Sequence, residues 1–162
     1  MINPRRVVAA YDPGVTTGFC VMQAEWPPLE QSLLVTRNIK TLEELVRSFT
    51  VLLETNKLEG CELVAIVVET FKLFPHMAKE QIGSDFPSSQ IIGAIKLLAH
   101  LHQVTPLLVW QPPSIQTNWP NNQIKKYHLS SPNWTTHEYS ATKHCLQWVR
   151  VDYNRTHINK KP

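Results

Sequence analysis

Hydrophobic positions along this chain fall mostly into short unbroken runs or into helical spacing, and each pattern predicts a different element. Val7, Val8, Ala9 and Ala10 form the first run, continuing into Tyr11 and Asp12. With no alternation, it has the character of a strand buried on both faces. The DPGVTTG segment then breaks the strand. Pro13 cannot donate to a ladder, Gly14 and Gly18 permit positive φ, and Thr16 and Thr17 can bond the turned backbone. Residues 18–22 predict a second strand completing a hairpin, and residues 29–36 (LEQSLLVT) a third after the Pro27-Pro28 turn. Thr41 with Glu44 forms a capping box, and Leu42, Leu45, Val46, Phe49, Leu52 and Leu53 follow at helical spacing until residues 56–60. Residues 62–69 (ELVAIVVE) repeat the grammar of the first strand, a continuous apolar run that ends in a carboxylate.

Residues 71–87 have no clean period and contain Pro75, Gly83 and Pro87, which predicts a loop long enough to suspect a function. A helix returns over 88–102 with Ile91, Ile92, Ile95, Leu98 and Ala99 on its apolar side, while Gly93 and Ala94 permit close approach of another backbone. Residues 107–110 predict a short buried strand stopped by Pro112 and Pro113. Residues 114–134 are polar and interrupted by Pro120 and Pro132, with a short helix expected over 122–129. Thr135 with Glu138 is a second capping box and opens a last helix running towards Arg150. His137, Ser140, Ala141 and His144 share one face of it. From Asp152 the chain is polar and expected to fray, so residues 1–152 are read as a single domain and 153–162 as a polar tail.

Composition narrows the class. A chain of 162 residues, 43% hydrophobic, is large enough to bury a real core as one domain. No apolar run reaches the ~18 residues of a membrane span, and the N-terminus carries no signal-peptide pattern. Cys20, Cys61 and Cys145 lie inside apolar patterns without metal-type spacing, as core thiols of a cytoplasmic protein would. Charge is uneven: residues 86–162 hold eight lysines and arginines against only Glu138 and Asp152. Four of the five tryptophans also fall there. A basic, aromatic-rich half is compatible with nucleic acid, and equally with a solvated surface.

Candidate chemistry centres on two acids. A carboxylate at the end of a buried strand is costly unless it is paired or holds a cation. Asp12 reads either as a turn-former before Pro13 or as a metal ligand. With Glu69 ending a second buried strand, a parallel pairing would put both acids on one edge of the sheet, where α/β ligand sites form. His137 fits a helix-end residue or a ligand. Glu138 reads as a cap, since one residue is about 100° round a helix from its neighbour. His144 reads as a helix-face residue.

Three strands, a helix, a strand, a helix, a strand and a closing helix is the order of the RNase H-like α/β fold. That fold has a mixed five-stranded sheet, antiparallel in its first three strands and then parallel, flanked by helices. Over about residues 7–149 the chain resembles the RuvC-type Holliday-junction resolvases, including phage-borne relatives. DPGVTTG resembles the family's first acidic motif, with Asp12 as metal ligand, and VVETF the second, with Glu69 as ligand. Phe71 then stands near the residue that wedges into the junction, with Lys72 beside it. QIIGA at 90–94 resembles the start of the helix used for dimer contacts, which implies Ile91, Ile95, Leu98 and His102 at an interface, although the apolar stripe of 91–98 reads as core first and interface second. QPPSI at 111–115 resembles the Pro-x-x-Val-Lys turn, with Gln116 where a lysine is usual. The family's last motif carries two acids, or a histidine then an acid, three residues apart. His137 fits its first position, and Ser140 stands where the acid is expected.

The resemblance implies a metal-dependent, structure-specific endonuclease that resolves Holliday junctions or other branched DNA by paired phosphodiester hydrolysis. Two Mg²⁺ ions, or Mn²⁺, would be held by Asp12, Glu69 and His137, with Ser140 in the catalytic set. Phe71, Lys72, Gln116, Lys125, Lys126, Lys143 and Arg150 would contact DNA. A homodimer would act on the four-way junction, with no membrane partner, in the cytoplasm (that of the host for a phage-borne protein). Two rivals remain: a junction-binding module that has lost turnover through Ser140, and a relative of sugar kinase- and actin-like ATPases. The latter share the acidic-Gly-Thr turn but need a second such domain and a larger chain.

Overall fold

In the computed structural model, which describes residues 4–58, 60–70 and 87–157, the two apolar runs that end in acids lie side by side. β1 (Arg5–Asp12), β2 (Thr17–Gln23) and β3 (Leu33–Ile39) form an antiparallel meander, and α1 (Leu42–Leu58) leads into β4 (Cys61–Glu69). Then come α2 (Pro87–Leu101), β5 (Leu108–Gln111), α3 (Asn121–Lys126) and α4 (Thr136–His157). The sheet order is β3-β2-β1-β4-β5, with β4 parallel to β1 and β5 parallel to β4. This is the mixed five-stranded sheet expected of an RNase H-like fold.

Both faces of the sheet are covered, so the central strands are apolar throughout. Val7, Ala9 and Tyr11 of β1 face α1 and α2, where Leu45, Phe49, Leu52, Ile91 and Ile95 complete one core. Val8 and Ala10 face the opposite way, onto Ala141, Cys145, Leu146 and Val149 of α4. A bulge in β4 shifts the register, Val7 pairing with Leu63 but Val8 with Ala65. Asp12 and Glu69 lie one step beyond the Tyr11–Val68 pair, and Glu69 pairs with Gln111 across β5.

Several expectations are corrected. β3 begins at Leu33, because residues 30–32 form a 3₁₀ turn closed by the Leu29 N–H donating to Ser32 Oγ at 3.0 Å. The last helix continues to His157, so residues 153–157 are helical and not yet tail. An Arg6–Asp152 ion pair at 3.0 Å and the Thr156 hydroxyl on the Asp152 carbonyl accompany that extension. The polar stretch at 114–134 supplies Trp119, Ile124 and Leu129 to the α4-side core, with Trp119 Nε1 donating to Gln147 Oε1 at 2.9 Å. Ile91, Ile95 and Leu98, by contrast, take the first of their two expected roles and pack under the sheet in this chain's own core. The exposed positions of α2 include Gly93, Leu97 and Leu101. His102 is exposed just beyond α2, its ring 6.2 Å from that of Phe49. Phe71 and Lys72 lie outside the described residues.

Candidate active site

Asp12 and Glu69 meet at the C-terminal edge of the parallel strands, where α4 delivers three more polar side chains. The start of α4 is held by reciprocal bonds, Thr135 N–H to Glu138 Oε2 at 2.8 Å and Glu138 N–H to Thr135 Oγ1 at 3.3 Å. His137, Ser140 and His144 then project from one face towards the strand ends. The helix comes this close because of the glycines in the DPGVTTG turn. A Cβ at Gly18 would lie 1.9 Å from the His137 carbonyl oxygen, and one at Gly14 would lie 2.8 Å from His137 Cε1. Neither glycine has positive φ, so what the turn requires of them is the absent Cβ, not left-handed backbone. Ser88 Oγ donates to the Pro13 carbonyl at 3.0 Å and ties the start of α2 to the same turn.

The two carboxylates have different company. Asp12, 5% exposed, has its Oδ2 2.7 Å from His137 Nδ1. Glu69 Oε2 accepts from Gln116 Nε2 at 2.8 Å, Ser140 Oγ at 3.2 Å and His144 Nε2 at 2.6 Å. His144 Nδ1 in turn lies 2.7 Å from Gln111 Oε1. Burial pushes the Asp12 carboxyl above its ordinary pKa and the charge of Glu69 adds to this, with the His137 and Ser140 hydrogen bonds opposing in part. Burial also works against the charged form of Glu69. There, hydrogen bonds from His144 and Gln116, the charge interaction with His144 and the Ser140 bond outweigh it, and its pKa is lowered.

A cleft of about 280 Å³ opens over this edge, lined by Asp12, Gly14, Glu69, Ser88, Gln116 and His137 among others. A larger groove, about 750 Å³, runs between β3 and α1 but holds neither carboxylate.

The structure thus brings Asp12, Glu69, His137 and Ser140 together. Glu138 caps α4 and is turned to its own helix start. Gln116, expected at DNA, lines the cleft and donates to Glu69, brought there by the 3₁₀ turn Pro113–Asn118. Lys125 and Lys126 are exposed in the last turn of α3, and Arg150 is exposed over the Trp119 ring at 5.8 Å. Lys143 is half-buried, and burial lowers its pKa. Two residues of the site were not assigned to it from sequence. His144, read as a helix-face residue, is fully buried behind Glu69. Its i+7 spacing from His137 was the available signal. Gln111 had a fainter one, a polar residue ending a third short apolar strand.

No family model matches the chain, and no curated protein sequence matches it. Solved structures do. RuvC of T. thermophilus, in complex with a Holliday junction substrate, superposes with TM-score 0.60 at 18% identity, over 94% of this chain and 96% of its own. A fowlpox virus resolvase in complex with Holliday junction DNA gives TM-score 0.51 at 11% identity, over 89% of this chain and 99% of its own. The fowlpox virus Holliday junction resolvase gives 0.53 at 10% identity, over 90% and 99%. At such identities the likeness is one of architecture: over most of its length, this chain has the RNase H-like fold of these resolvases.

Proposed function

We propose that the protein is a structure-specific endonuclease that cuts branched DNA, a four-way junction above all, by hydrolysing phosphodiesters in opposed strands. The observation that carries this reading is the meeting of two strand-end carboxylates with His137 in one cleft, with Ser140 bonded to Glu69 behind it. The fold supports it, being shared with resolvases solved on junction DNA.

Water attacking a phosphodiester meets a centre that already bears negative charge, so the site must supply positive charge. The donors here fit a hard divalent cation, since Mg²⁺ and Mn²⁺ prefer carboxylate oxygens and burial and the charge of Glu69 hold the Asp12 carboxyl above its ordinary pKa despite His137. Asp12 and Glu69 would hold a first ion, with His137 and Ser140 the remaining donors for a second. Among the described residues, no group of three or more His, Cys, Asp or Glu side chains forms a ready ligand shell. A bound divalent ion lowers the pKa of water and neutralises charge on the leaving oxygen. His137, held through Nδ1 by Asp12, has Nε2 free either to bind that second ion or to orient the attacking water. Gln116, Ser140 and His144 keep Glu69 ionised. Lys125, Lys126, Lys143 and Arg150 supply phosphate contacts.

A twofold homodimer would present one site to each of two opposed strands of a junction. With Ile91, Ile95 and Leu98 buried, the face of α2 left for a partner carries Leu97 and Leu101, 58% and 65% exposed. Ser140, where a third acid is expected, favours a second reading: a junction-binding protein with weak turnover. Cleavage of a strand-labelled four-way junction across a Mg²⁺ titration separates the two. Paired nicks by the wild type, and none by an Asp12→Asn variant that still binds, are expected. Tight binding without cleavage at any Mg²⁺ or Mn²⁺ concentration would leave the binding protein.

A further inference from the structure

Among the described residues two carboxylates, Asp12 and Glu69, line the cleft, so the orientation of each matters. Every hydrogen bond that Glu69 accepts from described residues falls on Oε2, which leaves Oε1 as the oxygen available to the cleft. His144 makes the shortest of these bonds, 2.6 Å, and is fully buried. Its other ring nitrogen lies 2.7 Å from Gln111 Oε1, and Gln111 is itself buried on the strand paired with Glu69. A buried imidazole is costly unless both nitrogens are satisfied, and here both are committed to one chain of contacts that ends on Glu69.

We propose that His144, backed by Gln111, is a positioning residue that ties down Oε2 of Glu69 so that Oε1 serves the cleft. The role does not depend on the charge of the ring. Nε2–H donates to Glu69 in either state, while the Gln111 amide can turn to accept from Nδ1 or donate to it. The inference rests on the nuclease reading for its purpose, but not for its geometry.

Three variants of the full chain test it. His144→Met keeps the volume and removes the donor, His144→Gln keeps a donor at similar reach, and Gln111→Met removes the backing alone. The readouts are single-turnover junction cleavage at saturating Mg²⁺, junction affinity, and Mn²⁺ binding to the DNA-free protein followed by electron paramagnetic resonance. His144→Met should lower both the cleavage rate and the Mn²⁺ affinity by about 10- to 100-fold, the usual cost of losing a partner behind a ligand. Junction affinity should stay unchanged. His144→Gln should recover most of both losses, and Gln111→Met should show the same pattern more weakly.

A folded His144→Met protein that cuts and binds Mn²⁺ like the wild type overturns the proposal. So does a His144→Gln protein as poor as His144→Met, which marks a role in packing only. Should His144→Met fail to fold, Gln111→Met decides by the same readouts. If even the wild type cuts no junction while Mn²⁺ binding still follows the expected order, the nuclease reading fails and the positioning role stands. A wild type that binds no Mn²⁺ overturns both.

Discussion

Asp12 and Glu69 end neighbouring parallel strands and each is met by one histidine of α4, yet their surroundings shift their pKa values in opposite directions. Glu69 has three donors on one oxygen, and its pKa is held down despite burial. Asp12 has burial and the charge of Glu69 against it, and its pKa is pushed up. The histidines differ in the same sense: the His137 side chain is 37% exposed at the helix start, whereas that of His144, two turns on, is 0% exposed. Pairs of acids whose environments drive them apart are a common sign of divided labour in a site. Here the Glu69 end is internally satisfied, and the Asp12 end is where positive charge is wanting.

The most severe way to break this pair is to neutralise either member. Asp12→Asn and Glu69→Gln should each slow junction cleavage at least about a thousandfold, the several kcal/mol a metal-assisted site supplies. Junction binding should persist or tighten. Single-turnover rates within tenfold of the wild type for either variant would undo the assignment of that carboxylate.

The glycines test what brings α4 to the Asp12 end. Gly18→Ala places a methyl 1.9 Å from a backbone oxygen, so the helix must move, and urea unfolding should show a loss of about 3 kcal/mol. Gly14→Ala meets the His137 ring at 2.8 Å, which can swing aside, and the Thr16 carbonyl oxygen at 2.9 Å, which needs a far smaller backbone shift than Gly18 demands. That variant should lose about 1–2 kcal/mol while separating His137 from Asp12. Equal stability for the two would contradict the close approach at Gly18.

Ser140→Asp probes the imbalance from the other side. An acid would replace a hydroxyl that donates to Glu69 Oε2 at 3.2 Å, adding negative charge to an already crowded edge. The Mg²⁺ concentration for half-maximal cleavage should fall about tenfold, through a charge-assisted ligand worth roughly 1.5–3 kcal/mol. Metal-free stability should fall too, while Ser140→Ala should change little. An unaltered metal requirement in Ser140→Asp would show that this position does not face the ion.

The smallest effects concern the metal-free fold, and they should differ in sign. Asp12 is harder to ionise folded than unfolded, where its pKa is about 3.9, so its charge costs stability above that pH. Asp12→Asn should therefore raise the unfolding midpoint at neutral pH, and the gain should vanish on acidification. Glu69 is easier to ionise folded than unfolded, about 4.3 in the unfolded chain, so its charge adds stability above that pH. That contribution is lost as pH falls through the folded value. Glu69→Gln should cost about 1–2 kcal/mol at neutral pH, less in acid. Shifts of the same sign in both variants would show that the two environments are alike after all.

What the amino-acid sequence by itself determined were the features that local forces decide. β1 and β4 were legible because a strand buried on both faces needs an unbroken apolar run, and each run ended visibly in its acid. Both α1 and α4 announced their starts through Thr–Glu capping pairs, although Glu44 reaches the Lys40 N–H and only Glu138 bonds its own cap residue. Burial without periodicity was not legible: Trp119, Ile124 and Leu129 sit in a segment whose polar neighbours mask them. Nor could the apolar stripe of α2 declare whether it faced its own sheet or a partner. Only the tertiary structure decided which histidine serves which acid. His137 meets Asp12 across 125 positions of sequence and His144 meets Glu69 across 75. Those pairings depend on how far along the sheet α4 is set, and that is governed by a contact no local pattern contains, the His137 backbone resting where Gly18 has no side chain.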